Sequence, residues 1–135
     1  MENRYLCKAK RTDNGEWVIG GLVRYGFTGR EKYYIVPSYA SDLYALEIDS
    51  STICWCTGLK DMNGNLIWEN DIVAYWDTYS TESGYAEADC IGRVVWDAET
   101  ISFQVTNRLS AESYEVLGEC SVIGNIFDNS ELLEV

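Results

Sequence analysis

Histidine is absent from this chain, and proline occurs once, at Pro37. Without histidine, the side chain that most readily moves protons near neutral pH is missing, and so is the commonest metal ligand. That excludes Ser–His and Cys–His nucleophile pairs and any mixed Cys/His zinc site. A single proline leaves no material for a proline-rich linker. Bases are also scarce, since ten Lys and Arg face 22 Asp and Glu for a net charge of −12. Such a balance opposes contact with a phosphate backbone, which needs clustered Lys and Arg, so no direct nucleic-acid binding is expected. No apolar run approaches the roughly 20 residues of a membrane span. The opening MENRYLCKAKR has no apolar stretch of the export type, and a cytoplasmic location is expected.

What is present suits a folded β protein. The 135 residues are 47% hydrophobic and 13% aromatic, enough to bury a core in one domain, with sub-lobes at 1–56 and 57–135. Five cysteines, Cys7, Cys54, Cys56, Cys90 and Cys120, form an odd set and read as reduced, buried thiols. The alternative, a Cys₄ zinc site, is opposed by the spacing of Cys54 and Cys56, which are two apart rather than three. No metal and no cofactor are expected. The charge is uneven: residues 1–32 carry seven bases and four acids, residues 33–135 three bases and eighteen acids.

Turn chemistry punctuates the chain. TDNG, with its turn at Asp13–Gly15, separates RYLCKAKR from EWVIGGLVRY as a hairpin. GFTGREK is a glycine-punctuated loop, YYIVP a short strand, and SYASDLYALEI a loop and strand. STICWCTGL alternates Ile53, Trp55 and Thr57 against Cys54 and Cys56. In TGLKDMNGNLIWENDIVAYWD, Asn63-Gly64 predicts a type I′ hairpin turn. Asn70 predicts a second turn at positive φ, because its short amide tolerates that conformation. TYSTESGYAEADC reads as a long polar excursion, GRVVW and ISFQVT as a hairpin around Asp97–Thr100, LSAESYEVLGE as a weak helix, and CSVIGNIF as a strand. Asp128 or Asn129 offers an N-cap for a last helical turn. The apolar faces predict burial of Trp55, Ile67, Val73, Val95, Phe103 and Ile123.

TGLKDMNGNLIWENDIV and the closing VIGNIFDNSELL, with GEWVIGGLV near the start, resemble the YopX family of bacteriophage and prophage proteins. The family usually has Gly where this chain has Asn70, and often Pro where it has Ser130. Both replacements keep the backbone role. The resemblance implies a mostly β fold with minor α content, built from a β-rich N-terminal lobe and a small SH3-like barrel in the C-terminal half. It implies no established activity. The matching residues Gly58, Lys60, Asp61, Asn63, Gly64, Asn70, Asp71, Gly124 and Asn125 read as structural turn positions, not as catalytic ones.

Glu69 and Asp71, two apart beside Trp68, are the one carboxylate pair with the makings of acid–base chemistry. Asn70 between them makes a turn, where acids usually accept from backbone amides. The expected function is a non-enzymatic protein-interaction module with a host or phage protein as partner. The alternatives are an acidic decoy that occupies the nucleic-acid site of a basic host protein, and an unrecognised enzyme. Self-association, head to tail between the basic N-terminal hairpin and the acidic remainder, is a further route for the charge asymmetry.

Overall fold

A computed structural model describes residues 5–37, 45–106, 113–115 and 119–133, with backbone alone for 77–81, 85–88 and 113–115. Among them, strands dominate, and the helical segments are two 3₁₀ turns, Ser50–Thr52 and Ser130–Leu133. The chain is mostly β, arranged as two antiparallel sheets. It divides into two compact units, Met1–Gly58 and Leu59–Val135.

The first unit contains β1 (Cys7–Lys10), β2 (Trp17–Tyr25), β3 (Lys32–Pro37), β4 (Leu46–Ile48) and most of β5 (Cys54–Lys60), in the spatial order β4-β3-β2-β1-β5. Its first hairpin turns where Asp-Asn-Gly predicts. Gly15 sits at φ 71°, and the Asn14 side-chain oxygen accepts from the Glu16 N–H at 2.9 Å. Register then sends alternate residues inward: Cys7 and Ala9 lie opposite Gly20 and Val18, and Leu22 opposite Ile35. These form a core of Cys7, Ala9, Val18, Ile35 and Ile48. The 3₁₀ turn is capped by Asp49, whose carboxylate accepts from the Ser51 N–H at 3.0 Å and the Ser51 hydroxyl at 2.7 Å. The Thr52 hydroxyl then accepts from the Lys10 N–H at 2.8 Å, which fastens the turn to β1.

The second unit contains β6 (Leu66–Trp68), β7 (Asp71–Thr81), β8 (Gly84–Asp97), β9 (Ser102–Thr106), β10 (Ser113–Glu115) and β11 (Cys120–Asn125). Its main sheet runs β10-β9-β8-β7-β11 and, among the described residues, does not close on itself. The end of β5 and the short β6 are the arms of the Asn63-Gly64 hairpin. Ile67, Val73, Val94, Val105 and Cys120 make the core, with Tyr75, Phe103 and Val122 packed against it.

Several expectations change. TYSTESGYAEADC is not an excursion: β7 and β8 pair continuously out to Thr81 and Gly84 as a long two-stranded ribbon. Its polar composition hid strands whose Thr and Tyr residues have high β propensity. Ser113–Glu115, expected within a weak helix, is strand β10, and the rest of 107–118 lies outside the described residues, as do 38–44. Ile67 and Val73 are buried, Phe103 packs partly buried against the core, and Val95 is half-buried. Trp55, however, is 38% exposed although it lies opposite the buried Cys7, while Cys54, opposite Lys8, and Cys56 are buried. Cysteine is small and among the residue types most often buried, which suits both positions. Ile123 is 40% exposed because Cys120 and Val122 of β11 face the core and alternation turns the next side chain out; a bulge between Val122 and Gly124 follows. No disulfide joins the five cysteines. Burial, and secondarily the neighbouring Cys54, push the Cys7 thiol up to about 11.

Candidate functional site

Seven of the nine motif residues are assembled around three turns of the second unit. In the first, Asp61 begins a tight loop. Its N–H donates to the Asn65 carbonyl at 2.8 Å, and the Gly64 N–H returns to the Asp61 carbonyl at 3.1 Å. Gly64 lies at φ 84°, whereas Asn63 is not among the residues at positive φ. The loop is therefore not the type I′ turn that Asn-Gly predicts. It matches the longer pattern in which one left-handed residue, Gly64, closes a type I turn. The Asp61 carboxylate explains the choice. Oδ1 accepts from the Asn63 and Asn65 N–H groups at 2.9 and 2.8 Å, and Oδ2 accepts from the Val122 N–H at 2.9 Å. The Val122 N–H first, then those of Asn65 and Asn63, hold this carboxyl below its ordinary value. Two more bonds tie the loop to β11: Met62 N–H to the Cys120 carbonyl at 2.9 Å, and the Asn63 amide to the Ser121 hydroxyl at 2.9 Å.

The second turn is Trp68–Asp71. Asn70 sits at φ 71°, as its sequence context predicts. Asp71 is almost fully buried and accepts from the Trp68 N–H at 2.8 Å, which closes the turn. The Asn70 backbone donates to the Val94 carbonyl at 2.8 Å and accepts from the Ile126 N–H at 3.1 Å. Its side-chain oxygen accepts from the Arg93 guanidinium at 2.8 and 3.3 Å. Glu69 and Asp71 thus flank a left-handed residue, and one of the two is committed to the backbone.

The third turn follows β11. Asn125 pairs with Asp71 across the sheet. Its side-chain oxygen accepts from the Phe127 and Asp128 N–H groups, both at 2.9 Å. The Asn129 side chain folds back and accepts from the Asn125 N–H at 3.2 Å rather than capping the last helical turn. It sits 2.6 Å from where a Cβ on Gly124 would lie, so only glycine fits there. Gly58, at φ 82°, ends the first unit inside β5, with its N–H 3.4 Å from the Cys56 sulfur. Lys60 is exposed at the end of that strand.

The two motifs, far apart in sequence, are one hydrogen-bonded lock in space. A family model described as YopX protein matches residues 9–134. The chain belongs to the YopX family. No curated protein matches it. The YopX match extends over both units and includes all nine motif residues.

In this YopX-family chain the Asp61, Asp71 and Asn125 side chains accept from backbone amides, while those of Asn63 and Asn70 bond the Ser121 and Arg93 side chains. No buried side-chain nitrogen or oxygen among the described residues lacks a partner. Chemically, such an arrangement holds strands in register. Sequence reasoning missed Arg93 and Ser121 and gave Asn129 a capping role instead; all three complete the lock. Arg93 carries a readable signal, as one of three bases in residues 33–135. A lone cation in so acidic a stretch points to a specific partner. Ile101 was missed as well. At φ 53° it is, besides Asn70, a non-glycine residue in the left-handed region, and it is 74% exposed.

Proposed function

We propose that this phage- or prophage-encoded protein is a non-enzymatic protein-interaction module that acts in the bacterial cytoplasm and binds a partner with a basic surface. The observation that carries the reading is Ile101. A β-branched side chain held at positive φ costs of order 1–3 kcal/mol, and this one gains no burial in return. Below it, Trp96 and Phe103 meet edge to face at 5.0 Å, with Trp96 left 47% exposed. An exposed aromatic anchor beside an aliphatic tip is the chemistry of an interface hot spot. The charge around it sets the partner's sign: residues 59–135 carry three bases and fifteen acids. Five antiparallel strands and the bulge in β11 support reading the second unit as the SH3-like barrel that the family resemblance implies.

The same acidity supports the decoy as a second reading, in which carboxylates mimic phosphates. One experiment separates the two. The protein is used as bait in host lysate, beside Ile101→Gly and Trp96→Ala variants, with salt and free DNA as competitors. The interaction reading expects a stoichiometric protein partner lost by both variants and untouched by DNA. Competition by DNA, with no effect of either variant, transfers the assignment to the decoy. No captured protein refutes both.

A further inference from the structure

The β2–β3 hairpin of the first unit ends in a built tip that the reading above leaves unused. The two strands pair out to Tyr25 and Lys32, and residues 26–31 turn the chain between them. The Arg30 N–H donates to the Phe27 carbonyl at 2.7 Å, closing a four-residue turn in which Gly29 is left-handed at φ 84°. Gly26 sits at φ 125°, where a Cβ would lie 2.5 Å from the Arg30 carbonyl oxygen, so only glycine permits this close approach. Two glycines thus fix one conformation, and in it Phe27 is 84% exposed. Tyr25 and Val23 beside it are exposed as well. Arg30 is also exposed, and among the described residues its guanidinium meets no carboxylate at ion-pair distance. Residues 23–30 carry two bases and no acid.

The second unit of the same chain holds the chemical complement of that tip. Val73 and Tyr75 of β7 face the core, so register puts Ala74 and Trp76 on the opposite face, across from Ile91 and Asp89 of β8. Trp76 is 68% exposed, and Ile91 and Asp89 are exposed beside it. A ring, an aliphatic side chain and a carboxylate therefore share one open face. We propose that the Phe27 tip of one copy docks on the Trp76–Ile91–Asp89 face of a second copy. Phe27 then covers Trp76 and Ile91, and the Arg30 guanidinium meets the Asp89 carboxylate. The charges match in sign at larger scale too. Residues 1–58 carry seven bases and seven acids, so a unit without net charge approaches one with three bases and fifteen acids. Exposed charges are screened beyond about 8 Å at physiological salt, so the repulsion between two chains of −12 fades while the contact pair is kept. An anionic membrane or a nucleic acid would match Arg30 but not the acidic unit that accompanies it. The contact joins different patches of identical chains, so it is head to tail.

The test is sedimentation equilibrium of the full chain at physiological salt. A mass above that of one chain, rising with protein concentration, is expected. Phe27→Ala and Trp76→Ala should each weaken association about tenfold or more. Mixed in equal amounts, these two variants should form a heterodimer and nothing larger, because only one intact tip and one intact face can then meet. Arg30→Glu and Asp89→Lys should each dissociate the assembly when alone and restore it when mixed, since each supplies the charge that the other now needs. All four side chains are exposed, and far-UV circular dichroism checks that the variants fold. A single-chain mass at every concentration overturns the proposal, as does association that survives Phe27→Ala. It is equally overturned if either mixture stays as dissociated as its components. Association lost in Trp96→Ala but kept in Trp76→Ala also overturns it, and moves the contact to the Ile101 hairpin.

Discussion

Asp61→Ala is the most informative single change in this molecule. It removes one acceptor group from three backbone amides at once, those of Asn63, Asn65 and Val122. The first two lie at an exposed turn, where water replaces much of what is lost, so each contributes near the low end for a bond to a charged group. The Val122 amide lies within β11, where an unsatisfied donor costs about 1–3 kcal/mol. The sum is about 4–6 kcal/mol. Asp61→Asn separates the parts. Its single side-chain oxygen can still serve the turn amides, but its NH₂ then faces the Val122 N–H, donor against donor, for about 2 kcal/mol. Denaturant titration followed by circular dichroism should give the order wild type, Asn, Ala, with unchanged m-values. The acid side supplies an independent check. The folded carboxyl lies below its ordinary value, so the unfolded chain takes up the proton first as pH falls. The stabilisation is therefore complete above the unfolded value of about 3.9 and is lost as pH drops through the folded one. The gap between wild type and Asp61→Asn should narrow across that window. Equal stability of all three proteins at pH 7 would refute the account of Asp61 as the bond between hairpin and β11.

At Asn70, Val should cost about 1–2 kcal/mol through backbone strain. Gly should come out near zero, because relief of that strain is offset by loss of the Arg93 acceptor; a thermal melt reads both. Gly124→Ala must displace the Asn129 side chain from 2.6 Å, and a loss of about 1–3 kcal/mol is expected in the same melts. Among the thiols, Cys90 is half-buried and the other four are buried, so a thiol reagent at pH 8 should label Cys90 first. Cys7, pushed up to about 11, should react last. Intact mass should show no disulfide deficit. Ile101→Gly should raise stability by roughly 1 kcal/mol in the isolated protein; a decrease would mean that Ile101 is not strained.

Local chemistry was legible in the sequence wherever one residue decides a backbone conformation. Gly15 and Asn70 mark their turns without help from anything distant, and Ile67 and Val73 follow from simple alternation. The misses share a cause. The Asn-Gly loop departs from type I′ because Asp61 is claimed by Val122, 61 residues away, and no window centred on the turn contains that amide. Ile123 faces out because Cys120 and Val122 take the inward positions of β11, a choice of face that CSVIGNIF leaves open since both of its alternating sets contain apolar residues. Trp55 stays part-exposed although it pairs with the buried Cys7, and Cys54 and Cys56 are buried, so alternation along β5 does not separate a buried face from an open one. The β7–β8 ribbon was hidden by its Thr, Ser and Glu content, since composition was weighed over β propensity. In the site, Asp61, Asn70 and Gly124 announced themselves, while Arg93 and Asn129 gained meaning only from what they touch.

The 61-residue separation between Asp61 and Val122 also sets a timetable. At synthesis rates of about 5–20 residues per second, the hairpin emerges from the ribosome roughly 3–12 s before the strand that completes it. For that interval β7 can pair with β8 but has no β11 along its other edge. A nascent chain in this state presents a row of open backbone groups to any neighbouring strand. The Thr- and Ser-rich continuation of β7 limits that exposure, since polar edges are poor templates for aggregation. Synonymous slowing of translation between the two motifs would lengthen the vulnerable period without altering a single residue of the finished protein.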